Sequence, residues 1–108
     1  MGESKEFESL IRTFHQMWDA FPGFARLIDR KHVILASNKA AEDKGFQAGA
    51  VCARVGAPES HQGCRMGIML KTQIAQVDRP EKDRIRGWVP VEGHPDVLVH
   101  FTLLIPEE

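Results

Sequence analysis

Between residues 4 and 21 apolar side chains recur at steps of three and four: Phe7, Leu10, Ile11, Phe14, Met17, Trp18 and Phe21. That period predicts a helix with one apolar stripe. Ser4 is placed to cap its start, and Pro22-Gly23 to end it. The stripe, with its four aromatics, serves either as core against the rest of the domain or as a seam for a second subunit. Residues 24–28 and 33–36 read as two strands joined by the polar turn 29–32. Ser37 or Asn38 caps a short helix over 39–44, and Gly45 stops it in the C′ role. Residues 46–63 hold no period and are punctuated by Gly49, Gly56, Pro58 and Gly63, which predicts mainly loop. A helix resumes over 64–74, its apolar face formed by Met66, Ile68, Met69, Leu70 and Ile74. Gly67 inside it costs about 1 kcal/mol against alanine, tolerable where something approaches the backbone closely. Three strands follow. The first begins at Gln76 before a charged turn at 79–83, and the second spans 84–91 with Ile85, Trp88 and Val89. A turn at 92–96 leads to the third, 97–105, whose nearly continuous apolar run predicts a central strand covered on both faces.

Two strands, then helices, then a three-strand meander predict an α+β domain with an antiparallel sheet and its helices on one face. The expected core includes Leu27, Leu35, Ile68, Trp88, Val99, Phe101 and Leu103. The 108 residues make one domain, 1–108, without linker or internal repeat. Hydrophobic residues are 43% and charged residues 27%, and the net charge is −1. That balance lacks the basic face a nucleic-acid partner requires. The apolar runs fall well short of the roughly 20 residues of a membrane helix. The polar, acidic start is unlike a secretory leader, so the expected location is cytoplasmic, with reduced thiols.

The candidate chemistry is concentrated in Cys52, His61 and Cys64, spaced Cys-x8-His-x2-Cys and including both cysteines of the chain. Thiolate and imidazole bind soft or borderline metals, and thiols are also redox-active. The trio is one ligand short of a closed structural zinc site. Packing, metal binding and thiol redox therefore remain three open readings of Cys52 and Cys64. His94 falls in a turn. Alternation sends His100 to the face opposite Val99 and Phe101, from which it could meet a ligand. Met17, Met66 and Met69 read as core or as haem ligands, and Trp88 as core or pocket wall. The expected cofactor-contacting set is Cys64, Met69, Trp88 and His100. The group itself is open: haem, a metal ion, flavin or none. No phosphate-binding loop, His-Glu-x-x-His or Gly-x-Ser-x-Gly is present, so no enzyme is expected.

This element order, with Asn38-Lys-Ala-Ala-Glu-Asp-Lys-Gly-Phe46 after the first hairpin, resembles the PAS sensor domain over residues 12–105. The family's strand pair is followed by N-x-A-x-x-x-x-G-F/Y, which Ile34, Leu35, Asn38, Ala41, Gly45 and Phe46 fit. Gly49-Ala-Val-Cys52 resembles the G-K-x-C step of a cysteine-bearing bacterial subgroup found in sensor kinases and related regulators. The C-x-G-C of that subgroup reads His61-Gln-Gly-Cys64 here, a histidine standing for its first cysteine. The resemblance implies a five-strand antiparallel sheet in the order 2-1-5-4-3 with helices on one face, a PAS core over 22–105 and an N-terminal amphipathic helix. It also implies a sensory module that binds a small ligand or cofactor between sheet and helices. Such a module forms a homodimer through its first helix, or signals through a partner protein. Output domains usually follow a PAS domain in the same chain. None is present here, so the module is expected to act in trans or to be part of a larger regulator. A metal or thiol switch on Cys52, His61 and Cys64, or a ligand-free dimerisation module, are the alternatives.

Overall fold

The computed structural model describes residues 2–52 and 63–106, with side chains described from Phe7 onward. The elements are α1 (Gly2–Trp18), β1 (Phe24–Asp29), β2 (Ile34–Ser37), α2 (Lys39–Asp43), α3 (Met66–Thr72), β3 (Gln76–Glu81), β4 (Arg84–Val91) and β5 (His94–Leu104). The strands form one antiparallel sheet in the order β2-β1-β5-β4-β3, the order the resemblance implied. As expected for its apolar run, β5 is central.

The sheet divides two apolar clusters. On one face Phe14 of α1 packs with Ala25, Leu27, Ala36, Val97 and Val99, flanked by Phe7, Leu10, Ile11, Trp18 and Phe21. The first helix is thus core. On the other face Ile28, Ile34, Cys52, Met66, Met69, Trp88 and Leu98 pack together. Strand alternation makes this division. In β1, Ala25 and Leu27 face α1 while Ile28 faces α3. In β5, Val97 and Val99 face α1 while Leu98 faces α3.

Two helices differ from expectation. α1 begins earlier than Ser4 and ends at Trp18. Phe21, disfavoured in helical backbone by the following Pro22, turns in to meet Trp18 and Phe101 with ring centroids 5.2 and 5.5 Å away. α3 is shorter than 64–74 because Gln73 adopts left-handed backbone (φ 57°), and its side-chain amide donates to Leu70 O and Pro95 O, each at 3.0 Å. Over so short a helix only Met66 and Met69 are buried. Ile68, expected in the core, is 49% exposed, and Ile74 also faces outward. No described atom lies within 4 Å of a Cβ built on Gly67, so the close approach expected there is absent. The charged turn expected at 79–83 is tighter, β3 continuing to Glu81, and β5 begins at His94 within the turn expected at 92–96.

α2 explains the local motif. Asn38 caps it: Oδ1 accepts from Ala41 N (3.0 Å) and from Ala25 N (3.1 Å) on β1. Its Nδ2 donates to Gly23 O (2.9 Å) and Trp18 O (3.3 Å). One side chain therefore ties the end of α1, the start of β1 and α2 together. At the other end Gly45 takes φ 98°. Phe46 N donates to Ala41 O and Gly45 N to Glu42 O, the paired bonds of a Schellman cap. This turn delivers Phe46 onto the α3 side of the sheet.

Candidate functional site

The site is built on the sheet face under α3. Register places Arg26 of β1 opposite His100 of β5, and His100 opposite Trp88 of β4. The next row runs from Thr102 to Arg86 and on to Asp78 of β3. Charged and polar side chains thus lie in the middle of a sheet whose opposite face is apolar. The segment after α2 covers their β2 side. Ala50 O accepts from Ile34 N, Gly49 N donates to Ile34 O, and Cys52 N donates to His32 O, at 2.8–2.9 Å. Together with the Val33–Val51 bridge, these bonds fasten the segment along β2 and turn Cys52 into the core.

Arg26 is 2% exposed. Its Nη2 donates to Thr102 Oγ1 at 3.1 Å, and its guanidinium lies 4.4 Å from the centroid of Phe46, a cation–π contact. Among the described residues its Nε has no hydrogen-bond partner. Burial lowers its pKa to about 10, partly offset by Cys52 and Cys64; it remains a cation at neutral pH. In the next row Arg86 is paired with a carboxylate. Its Nε and Nη2 donate to the two carboxylate oxygens of Asp78 at 2.9 and 2.6 Å, and Arg65 Nε lies 3.8 Å from the same carboxylate. This bidentate pair ties β3 and β4 to the approach of α3.

Trp88 is fully buried and stacks on His100, centroids 4.8 Å apart at 10°. His100 Nδ1 lies 2.8 Å from Gly87 O, and since a carbonyl only accepts, Nδ1 carries the proton. Among the described residues the indole Nε1 of Trp88 has no hydrogen-bond partner. Met69 is fully buried in the same cluster. Cys52, also in it, has its thiol pKa raised, chiefly by burial and further by Cys64, with Arg26 acting against. Cys64 is exposed, and both cysteines are free thiols.

Of the residues singled out from the sequence, the structure therefore gathers Cys52, Met69, Trp88 and His100 beneath α3 and leaves Cys64 at its approach. His61 lies outside the described residues. Among the described residues no three His, Cys, Asp or Glu side chains form a metal-ligand group. Sequence reasoning overlooked Arg26 and Arg86. Their trace was visible: each is a charge inside a strand, at alternating positions with Ile28 and with Trp88.

No family model matches the chain, and no curated protein matches it. Among solved structures it is similar to a sensory box sensor histidine kinase from Vibrio cholerae, with 9% identity, a TM-score of 0.67 and coverage of 95% of each chain. No helix among the described residues is long and apolar enough to cross a membrane. At that identity the likeness shows the fold alone: an α+β, PAS-like fold with its sheet in the order 2-1-5-4-3 and an N-terminal helix packed on it.

Proposed function

We infer that this domain is a sensory or regulatory module, not an enzyme, that holds a small molecule between its sheet and α3 and relays occupancy to a second copy or a partner protein. The observation that carries the reading is the buried row Arg26–His100–Trp88, in which two donors lack partners. A domain kept only for dimerisation would gain stability from aliphatic side chains there, because buried polar groups without partners are costly. The likeness to a sensor kinase domain supports a sensory role, and a cytoplasmic location accords with it.

Relay needs two packings of nearly equal energy that a ligand favours unequally. α1 is suited to sense such a change. It packs on Leu27 and Val99, whose strand neighbours Arg26 and His100 face the ligand side. An apolar groove of about 210 Å³ runs between α1 and the sheet, lined in part by Leu10, Val89 and Pro90. Met17 at its edge is 72% exposed, which favours α1 as the dimer seam.

The test is native mass spectrometry of freshly purified protein, with an absorbance spectrum. The expected result is a bound small mass lost on denaturation; a Soret or flavin band would name haem or flavin. Protein that carries no mass, and whose α1 amides exchange at one rate with and without a cell metabolite extract, sinks the sensory reading and leaves the empty dimerisation module.

One observation favours a second reading, a thiol or metal switch of the cysteine-bearing PAS type on Cys52, His61 and Cys64. Arg26 interacts electrostatically with both cysteines, and Cys52 with Cys64, which supports this reading. Free thiols, counted after unfolding, would fall from two to none on mild oxidation of the native protein, or metal analysis would find bound ion. Thiols that persist under oxidant in metal-free protein exclude it.

A further inference from the structure

We propose that Arg26 anchors a small organic monocarboxylate, seated on the sheet between Phe46 and Trp88. This rests on the ligand-binding reading above and names the class of ligand. Among the described residues the buried guanidinium has no carboxylate counter-ion. The described groups whose charges reach it are Cys52 and Cys64, and burial favours the protonated Cys52 thiol. The carboxylate of Asp78, on the same sheet face, accepts from Arg86 through both its oxygens and is approached by Arg65. Asp29, at the end of β1, accepts from the backbone of Lys31 and Val33 in its turn.

What the site lacks describes what it would take. Its unpaired atoms, Arg26 Nε and Trp88 Nε1, are both donors, so the complementary group is an acceptor. The charge is one uncompensated cation, which calls for a single negative charge and not a phosphate dianion. A guanidinium presents a planar fork that matches a carboxylate in two parallel bonds. With Nη2 on Thr102 and the ring of Phe46 against its plane, the fork is held in one orientation. Ile28, Met69 and Leu98 line the same face and suit an apolar body on that acid. A third unpaired donor, Arg84 Nε, belongs elsewhere, since Arg84 pairs with the exposed Glu81 at 3.1 Å.

The experiment is thermal unfolding and calorimetric titration of the whole chain with formate, acetate, isobutyrate and benzoate. Each is matched to its neutral amide, and inorganic phosphate is added as a further probe. At least one carboxylate should raise the melting temperature saturably while its amide does not. Arg26→Met should melt no lower than wild type, because it removes an unanswered charge, and should lose carboxylate affinity by about tenfold or more. Arg26→Lys keeps the charge without the fork and should bind about tenfold more weakly; it serves as the test if Arg26→Met does not fold. Phosphate binding in place of carboxylates overturns the class assigned. Acids and amides that stabilise wild type and Arg26→Met alike overturn the role of Arg26 while leaving the ligand-binding reading intact. Silence across the series overturns the carboxylate assignment, and the bound mass sought above judges the ligand-binding reading separately.

Discussion

Cys52 and Cys64 have the same side chain in opposite surroundings, and reactivity should follow the surroundings. The thiolate is the nucleophile. Cys64 is exposed, whereas Cys52 is buried and its ionisation pushed up. Iodoacetamide should therefore label Cys64 first, with Cys52 slow at neutral pH and faster only above the ordinary thiol range; peptide mapping would read the order. Equal labelling rates would place Cys52 in solvent. Asn38 carries four hydrogen bonds while 1% exposed. Asn38→Ala removes a helix cap and strands buried backbone groups, an expected loss of about 2–4 kcal/mol in urea unfolding. Gly87 is a packing requirement of another kind. A Cβ there would collide with the ring of Phe101, its partner across the ladder. That ring stacks on Trp18 and meets Phe21 edge-on, so it has little room to yield. Gly87→Ala should cost about 1–3 kcal/mol by overpacking, and a neutral result would mean that the aromatic cluster repacks freely.

At the scale of the element, α1 has a packing role and a proposed dimer role, which different residues report. Phe14 is 3% exposed at the centre of its cluster, whereas Met17 faces outward. Phe14→Glu buries an unpaired charge and should lose about 4 kcal/mol or more, so it tests the fold and not the dimer. Met17→Glu should leave helicity and melting temperature nearly unchanged and shift sedimentation from dimer to monomer. A wild-type protein that sediments as a monomer at high concentration removes the proposed seam. α3 is the contrasting case. It is anchored by Met66 and Met69 and by the contact of neighbouring Arg65 with Asp78, leaving Ile68 exposed.

For the molecule as a whole, the buried thiol and guanidinium shape alkaline stability. Cys52 has a folded-state pKa above its unfolded value. Between the two, the unfolded chain has released a proton that the folded chain still holds. Its contribution is thus fully present below the ordinary thiol range and is lost as pH rises through the folded value. Arg26 has the reverse sign. With a folded pKa lowered to about 10, the folded chain releases its proton first, and stability is regained above about pH 10. Urea unfolding should show a decline on the alkaline side that Cys52→Ala flattens, and Arg26→Met should remove the later recovery. Profiles of Cys52→Ala and Arg26→Met that run parallel to wild type across this range contradict the burial of the two groups.

Much of the architecture is written in local pattern. Period and punctuation alone locate the strands of the meander, the centrality of β5 and the Asn38-to-Gly45 helix. These depend on alternation, caps and left-handed turns, which are properties of neighbouring residues. The site was legible only in part. Alternation places His100 opposite Val99, and composition marks Trp88, Met69 and Cys52 for the interior. Which polar groups share one face, and which lack a partner there, depends on strand register across β1, β5 and β4, which sets Arg26 beside His100, 74 positions away. No local rule relates Arg26 to His100, or pairs Asp78 with Arg86 and so leaves Arg26 alone. Helix ends were misread for the same reason. Phe21 leaves α1 to meet Phe101, and Gln73 turns out of α3 to reach Pro95. In each case a distant contact outweighs a local period, because apolar contact and a satisfied donor are worth more than one further helical residue.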